Sequence, residues 1–226
     1  MTAIPLTDED RKPLRFPIAT AIIIAVNFIV FFVELAEGSK FIERWALVPA
    51  HVASPHGFAT IFTSMFMHAS WVHIIGNMVF FWAFGPEVED AMGSWRYLIF
   101  YLLGGVAASI AQIAVSPGST IPNLGASGAI AAVMGAFIVT YPTDRIKSIL
   151  VIFWFVMVRE IPAIVLIGIW FLLQLLSGIG SLVSQQNAGG VAYMAHVGGF
   201  LFGVIAAPIF EGRLSSGGYP SNRGPS

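Results

Sequence analysis

An all-α polytopic membrane protein, a bundle of six transmembrane helices with both termini in the cytoplasm, is the fold class that the sequence predicts. Three observations predict it. Hydrophobic residues make up 57% of the chain and charged residues only 10%, against about 25% charged in an ordinary soluble domain. Six apolar stretches approach the length of about 20 residues that a hydrocarbon core of about 30 Å requires. Finally, Lys and Arg collect on one side of the resulting topology, as they do in short cytoplasmic loops.

The first span runs from Pro17 to Ala36, behind a cytoplasmic tail of residues 1–16 that holds Arg11, Lys12 and Arg15. Its apolar run exceeds the core of a secretory signal, about 7–15 residues, so it is read as a retained helix. A long outer loop, 37–70, follows. Its Phe41, Ile42, Trp45, Leu47 and Val48 predict that it lies along the membrane surface. The second and third spans cover Trp71 to Val88 and Trp95 to Val115, and the fourth, Ser127 to Tyr141, is short. A further apolar stretch from Ile149 to Val158 is too short to cross and sits between Lys147 and Arg159, so segment 146–160 is expected to be interfacial or re-entrant. The fifth and sixth spans run from Ala163 to Ile179 and from Ala192 to Phe210. Between them, loop 181–190, rich in Gln, Asn and Gly, is expected to act as a lid. Residues 17–210 make one domain, and the Gly-, Ser- and Pro-rich segment 211–226 reads as a disordered cytoplasmic tail. With the N-terminus inside, only Lys40 and Arg44 of the 11 Lys and Arg residues fall outside. Counting 149–158 as a span would invert everything after it and destroy that bias.

Composition also removes several chemistries. Without cysteine there is no disulfide, thiolate nucleophile or zinc–thiolate site. No basic cluster suggests nucleic acid, no H-E-x-x-H occurs among the five histidines, and no Asp lies within a predicted span, which removes a paired-aspartate mechanism. The soluble nucleophile elbow G-x-S-x-G fails because Ala129 holds its last position. No cofactor or metal is expected.

Polar groups nevertheless gather at one level. From Ser127 to Tyr141 the rise is about 21 Å at 1.5 Å per residue, so a fourth helix that reaches the cytoplasmic boundary leaves Ser127 below the outer surface. Non-helical backbone at that depth is tolerated only against protein or a wet cavity. The sixth span carries His196 in its first turns, and an ionisable residue inside a span marks a functional site by default. His196, Gly199 and Gly203 share one helix face; Ser127, Ala131 and Gly135 form a stripe of small residues on the fourth span. Such stripes let two backbones approach closely, which brings the hydroxyl within reach of the imidazole. On the second span His73 and Asn77 lie four residues apart at the same level. Their donors, with the Ser127 N–H at a helix N-terminus, suit the oxyanion of a tetrahedral intermediate. With no carboxylate near His196, a Ser–His dyad is the surviving nucleophilic arrangement.

These residues resemble the rhomboid family of intramembrane serine proteases. His73-x3-Asn77 on the second span, Gly125-Ala-Ser127-Gly128 on the fourth and Ala195-His196-x2-Gly199-x3-Gly203 on the sixth occur in the family's order, and Gly85-x3-Glu89-x3-Gly93 is similar too. The resemblance implies a Ser127 nucleophile, a His196 general base, and an oxyanion site from His73, Asn77 and the Ser127 backbone. It implies helix packing at the site through Gly128, Gly135, Gly199 and Gly203. The implied partners are the lipid bilayer and single-pass transmembrane protein substrates, cut in or near their spans without a cofactor. His68 looks like the family's frequent histidine at the end of the first loop. Two positions depart from the pattern: Arg44-Trp45 stands in reversed order, and Ala131 replaces a Tyr that stacks on the histidine in some members. Lack of an organelle-targeting pattern favours a prokaryotic plasma membrane, with the site opening to the extracytoplasmic side. A non-catalytic binder of transmembrane helices is the alternative reading, and a small-solute transporter ranks third because no repeated broken helices are visible.

Overall fold

The computed structural model describes residues 2–54, 56–152, 154–184 and 192–211. Eight α-helices and three strands occur among them, in the order β1 (Thr2–Asp8), α1 (Ile18–Glu37), α2 (Ser39–Trp45), α3 (Gly57–Thr63), α4 (Trp71–Met92), α5 (Ser94–Val115), α6 (Ser127–Thr140), β2 (Arg145–Ile152), β3 (Phe155–Pro162), α7 (Ala163–Ser184) and α8 (Tyr193–Phe210). All six predicted spans are helices, their limits within a few residues of the sequence-based ones. Four of them, α1, α5, α7 and α8, are long and apolar enough to cross a membrane. A fifth candidate joins the Gly57–Phe66 segment to α4 across a bend of 75°. Helix α6 is apolar but only 14 residues long.

Short α6 is the centre of the bundle. Every residue from Gly128 to Phe137 is buried, packed on by α4, α5 and α8. An all-round apolar helix is stable only when neighbours cover its whole circumference. The covering helices come very close: a side-chain carbon built on Gly199 would lie 2.1 Å from the Gly128 carbonyl oxygen, and one on Gly203 2.0 Å from that of Ala132. A carbon on Gly135 would lie 2.3 Å from the Phe200 oxygen. The small stripe facing α8 is therefore Gly128, Ala132 and Gly135, one residue round from the expected Ser127, Ala131 and Gly135.

A buried carboxylate explains the Gly85, Glu89, Gly93 run. Glu89 Oε1 accepts the Ala19 N–H at 2.9 Å, and Oε2 accepts the Thr20 N–H and hydroxyl, each at 2.8 Å. Glu89 thus caps the first turn of α1, where unpaired N–H groups and the helix dipole favour a negative charge. Gly85 lets α1 approach, since a side-chain carbon there would fall 2.8 Å from the Tyr97 hydroxyl and 3.1 Å from Thr20 Cγ2. Gly93 turns the chain between α4 and α5 at φ +78°.

At the end of the bundle opposite Ser127 the structure corrects the all-α expectation. Segment 146–160, expected to be interfacial or re-entrant, forms the hairpin β2–β3, and the expected N-terminal tail supplies β1 to an antiparallel sheet of order β1-β2-β3. The apolar run 149–158 is short and rich in Ile and Val, which leaves helix and strand undecided by pattern alone. Pro5, which cannot donate to a ladder, sits on edge strand β1, and the register shifts beside it. Strand β1 packs on α4. Arg11 pairs with Asp144 and lies 4.5 Å over the Tyr141 ring, and Lys147 pairs with Glu9 at 2.9 Å. Asp8 is buried here, accepting the Asp10 N–H at 2.8 Å. Burial pushes its carboxyl up from 3.8 to about 7, with neighbouring Asp144 adding to the effect and the Asp10 and Arg11 amides opposing it.

The outer loop holds α2 and α3, and its backbone joins the segment before α6: Leu47 N–H donates to the Asn123 oxygen at 3.0 Å and receives the reciprocal bond at 2.7 Å. Most of the expected lid, 185–190, and the expected tail from 212 onward lie outside the described residues.

Candidate active site

Helices α4, α6 and α8 run in the same direction through the bundle, and each carries its polar residues near its start. Ser127 is the first residue of α6. Before it Gly125 holds φ +137°, a conformation that disfavours any side chain, and donates its N–H to the Ser64 oxygen at 2.9 Å. A side-chain carbon on Gly125 would fall 2.9 Å from His73 Nε2 and 3.6 Å from Ser127 Oγ. The His73 ring and the Ser127 hydroxyl therefore flank the same glycine, which explains the residue by close approach as well as by φ.

Ser127 Oγ lies 2.7 Å from His196 Nε2, the distance of a short, well-formed hydrogen bond between a hydroxyl and a ring nitrogen. Three fixtures set His196. Ala195 N–H, in the first turn of α8, donates to Gln112 Oε1 of α5 at 3.3 Å. Trp170 of α7 faces the imidazole at 5.8 Å between ring centroids. His196 Nδ1 meets Gln174 Oε1 at 2.7 Å.

His73 and Asn77 are also at the site, although Asn77 is partly engaged. Its Nδ2 lies 2.9 Å from His68 Nε2, which leaves its second N–H for the cavity. His68 is buried and held from behind, with its backbone N–H donating to Glu34 Oε2 of α1 at 2.9 Å and its ring edge-on to His73 at 5.0 Å. It does not line the cavity. Glu34, His68 and Asn77 thus form a bracket between α1 and α4 behind the site.

Ser127, His196, His73 and Asn77 open into one cavity of about 640 Å³. Val72, Gly76 and Phe80 of α4, Ile130 and Met134 of α6, and Trp170 of α7 are among the residues of its walls. Such a volume suits a few residues of extended peptide, apolar walls around a small polar centre being the usual pattern of a binding site. On the far side of Ser127 a second cavity of about 40 Å³ is lined by Ser64, Ser109, Gln112 and Asn123 among others, roomy and polar enough for ordered water.

A sequence model described as the Rhomboid domain matches residues 55–213. The chain belongs to the rhomboid family. Among relatives of this rhomboid, the Rhomboid protease GluP of Bacillus subtilis (strain 168) is 29% identical over 195 residues, 84% of this chain and 34% of that protein. Rhomboid-like protein 11, chloroplastic, of Arabidopsis thaliana is 25% identical over 204 residues, 87% of this chain and 67% of its own length. The mitochondrial presenilin-associated rhomboid-like protein of Homo sapiens is 29% identical over 150 residues, 62% of this chain and 35% of its own. The chain thus spans about a third of the length of two of the three.

Gln174, Gln112, Trp170 and Glu34 escaped the sequence reading. Gln174 carried a signal, since an uncharged polar residue in the middle of an apolar span requires a partner, but its sequence alone does not say which. Trp170, four residues before it, lies on the same helix face.

Proposed function

We propose that this rhomboid is an intramembrane serine endopeptidase acting on membrane-anchored proteins in or near a transmembrane segment. The single observation that carries the proposal is the 2.7 Å contact of Ser127 Oγ with His196 Nε2 inside a cavity between helices. Membership of the family, and the name of GluP as a protease, support it.

In the proposed reaction, Ser127 Oγ attacks the scissile carbonyl carbon while His196 Nε2 takes the hydroxyl proton. The carbonyl oxygen becomes an oxyanion, held by His73, the free amide N–H of Asn77 and the Ser127 N–H at the start of α6. Collapse expels the amine, which receives the proton from His196 and leaves an acyl-enzyme. Water, activated by the same imidazole, then releases the acid. A helical substrate shields its own carbonyls, so the segment must unfold at the cut, which favours single-pass substrates with helix-weakening Gly or Pro there.

We further propose six spans, counting bent α4 and short α6, with both termini and the β-sheet in the cytoplasm and the cavity near the outer surface. The distribution of Lys and Arg supports this arrangement. A prokaryotic plasma membrane is the proposed location, although relatives occur in chloroplasts and mitochondria as well as in a bacterium. The test is cleavage of single-span reporter proteins in lipid vesicles. Wild type is expected to cut at one position, and Ser127→Ala not at all; equal cutting by both would refute the proposal.

A further inference from the structure

Gln174 has no role in the dyad as drawn above, yet it makes one of the two ring-nitrogen contacts of His196. A neutral imidazole carries one N–H and one bare nitrogen. For Nε2 to take the Ser127 proton it must be the bare one, so the proton sits on Nδ1 and requires an acceptor. Gln174 Oε1 lies 2.7 Å from Nδ1. Left unpaired among apolar helices, Nδ1–H would disfavour this tautomer, because a buried donor without a partner loses its hydration for nothing. Trp170 faces the same ring from one helical turn earlier on α7, and Ala131 offers no aromatic wall from α6. Gln174 and Trp170, which both meet the imidazole itself, thus come from α7.

Resting on the protease reading, we infer that Gln174 is the positioning residue of this centre, its side-chain carbonyl accepting Nδ1–H of His196 and keeping Nε2 bare toward Ser127. The centre is then a Ser127–His196–Gln174 relay with a neutral amide where soluble serine hydrolases use a carboxylate. A glutamine serving only as a link between α7 and α8 would affect stability and leave the imidazole unchanged.

The test uses the full chain in lipid nanodiscs, with Gln174→Met, close in size but unable to accept strongly, and Gln174→Glu, which keeps the acceptor. Methionine is expected to lower kcat by about tenfold to a hundredfold with KM little changed, the cost known for losing the partner that orients a metal-bound histidine, while glutamate restores most of the rate. Wild-type kcat in the methionine variant would overturn the inference. A second readout requires no turnover: 15N spectra of ring-labelled histidine, with the His196 signals assigned by their loss in His196→Ala. The inference requires the Nδ1–H tautomer in wild type and a tautomer mixture in Gln174→Met. An Nε2–H tautomer in wild type, or an unchanged tautomer in the methionine variant, would overturn it. Should wild type fail to cut any reporter, the protease reading falls and the spectra still decide the role of Gln174.

Discussion

Ser127, His196 and Asn77 are each held by a hydrogen-bond partner that the apolar surroundings make necessary. Asn77 shares its amide between His68 and the cavity, so Asn77→Ala should lower kcat about a hundredfold or more if its free N–H meets the oxyanion. Cleavage rates and thermal midpoints measured together check this, and a large loss of stability with an unchanged rate in the surviving fraction would assign Asn77 to the bracket alone. Ser127 and His196 were legible in the sequence because a hydroxyl at a helix start and an imidazole inside an apolar run stand out from their surroundings. Gln174 was not. Its meaning depends on which ring nitrogen it meets across two helices, and no spacing within one helix encodes that.

Among the elements, α6 is the one on which the others depend. Its fourteen residues begin with Ser127, and glycines on both sides bring α8 against it. Gly199→Ala should cost about 1–3 kcal/mol, because its methyl would collide with backbone rather than with a movable side chain; thermal unfolding in detergent checks the figure. The same variant should depress cleavage beyond its effect on stability, since it pushes His196 away from Ser127. Helix positions were legible to within a few residues because apolar length is set by the bilayer. Which face of α6 meets α8 was misjudged by one residue, since several small residues make adjacent stripes equally plausible by sequence. The β2–β3 hairpin was not legible at all. Its apolar run fits helix or strand alike, and the sheet's third strand comes from a segment some 140 residues earlier, a pairing that leaves no local pattern.

For the molecule as a whole, the sheet at the end opposite Ser127 ties the chain start to the α6–α7 connection, and its pH response follows from Asp8. The folded state holds the Asp8 proton more tightly than the unfolded chain does, so stability contributed here is complete below pH 3.8 and declines as pH rises to about 7. Asp8→Asn should flatten that decline, which thermal midpoints across pH 4–8 in detergent would show; a parallel decline in both proteins would place the cause elsewhere. At the opposite end the central claim is that Ser127 is made nucleophilic by His196. Reaction with a fluorophosphonate, followed by mass spectrometry of the modified peptide, tests it most directly. One adduct on Ser127 that disappears in His196→Ala is the predicted result; an adduct elsewhere, none in wild type, or equal labelling of the histidine variant would contradict it.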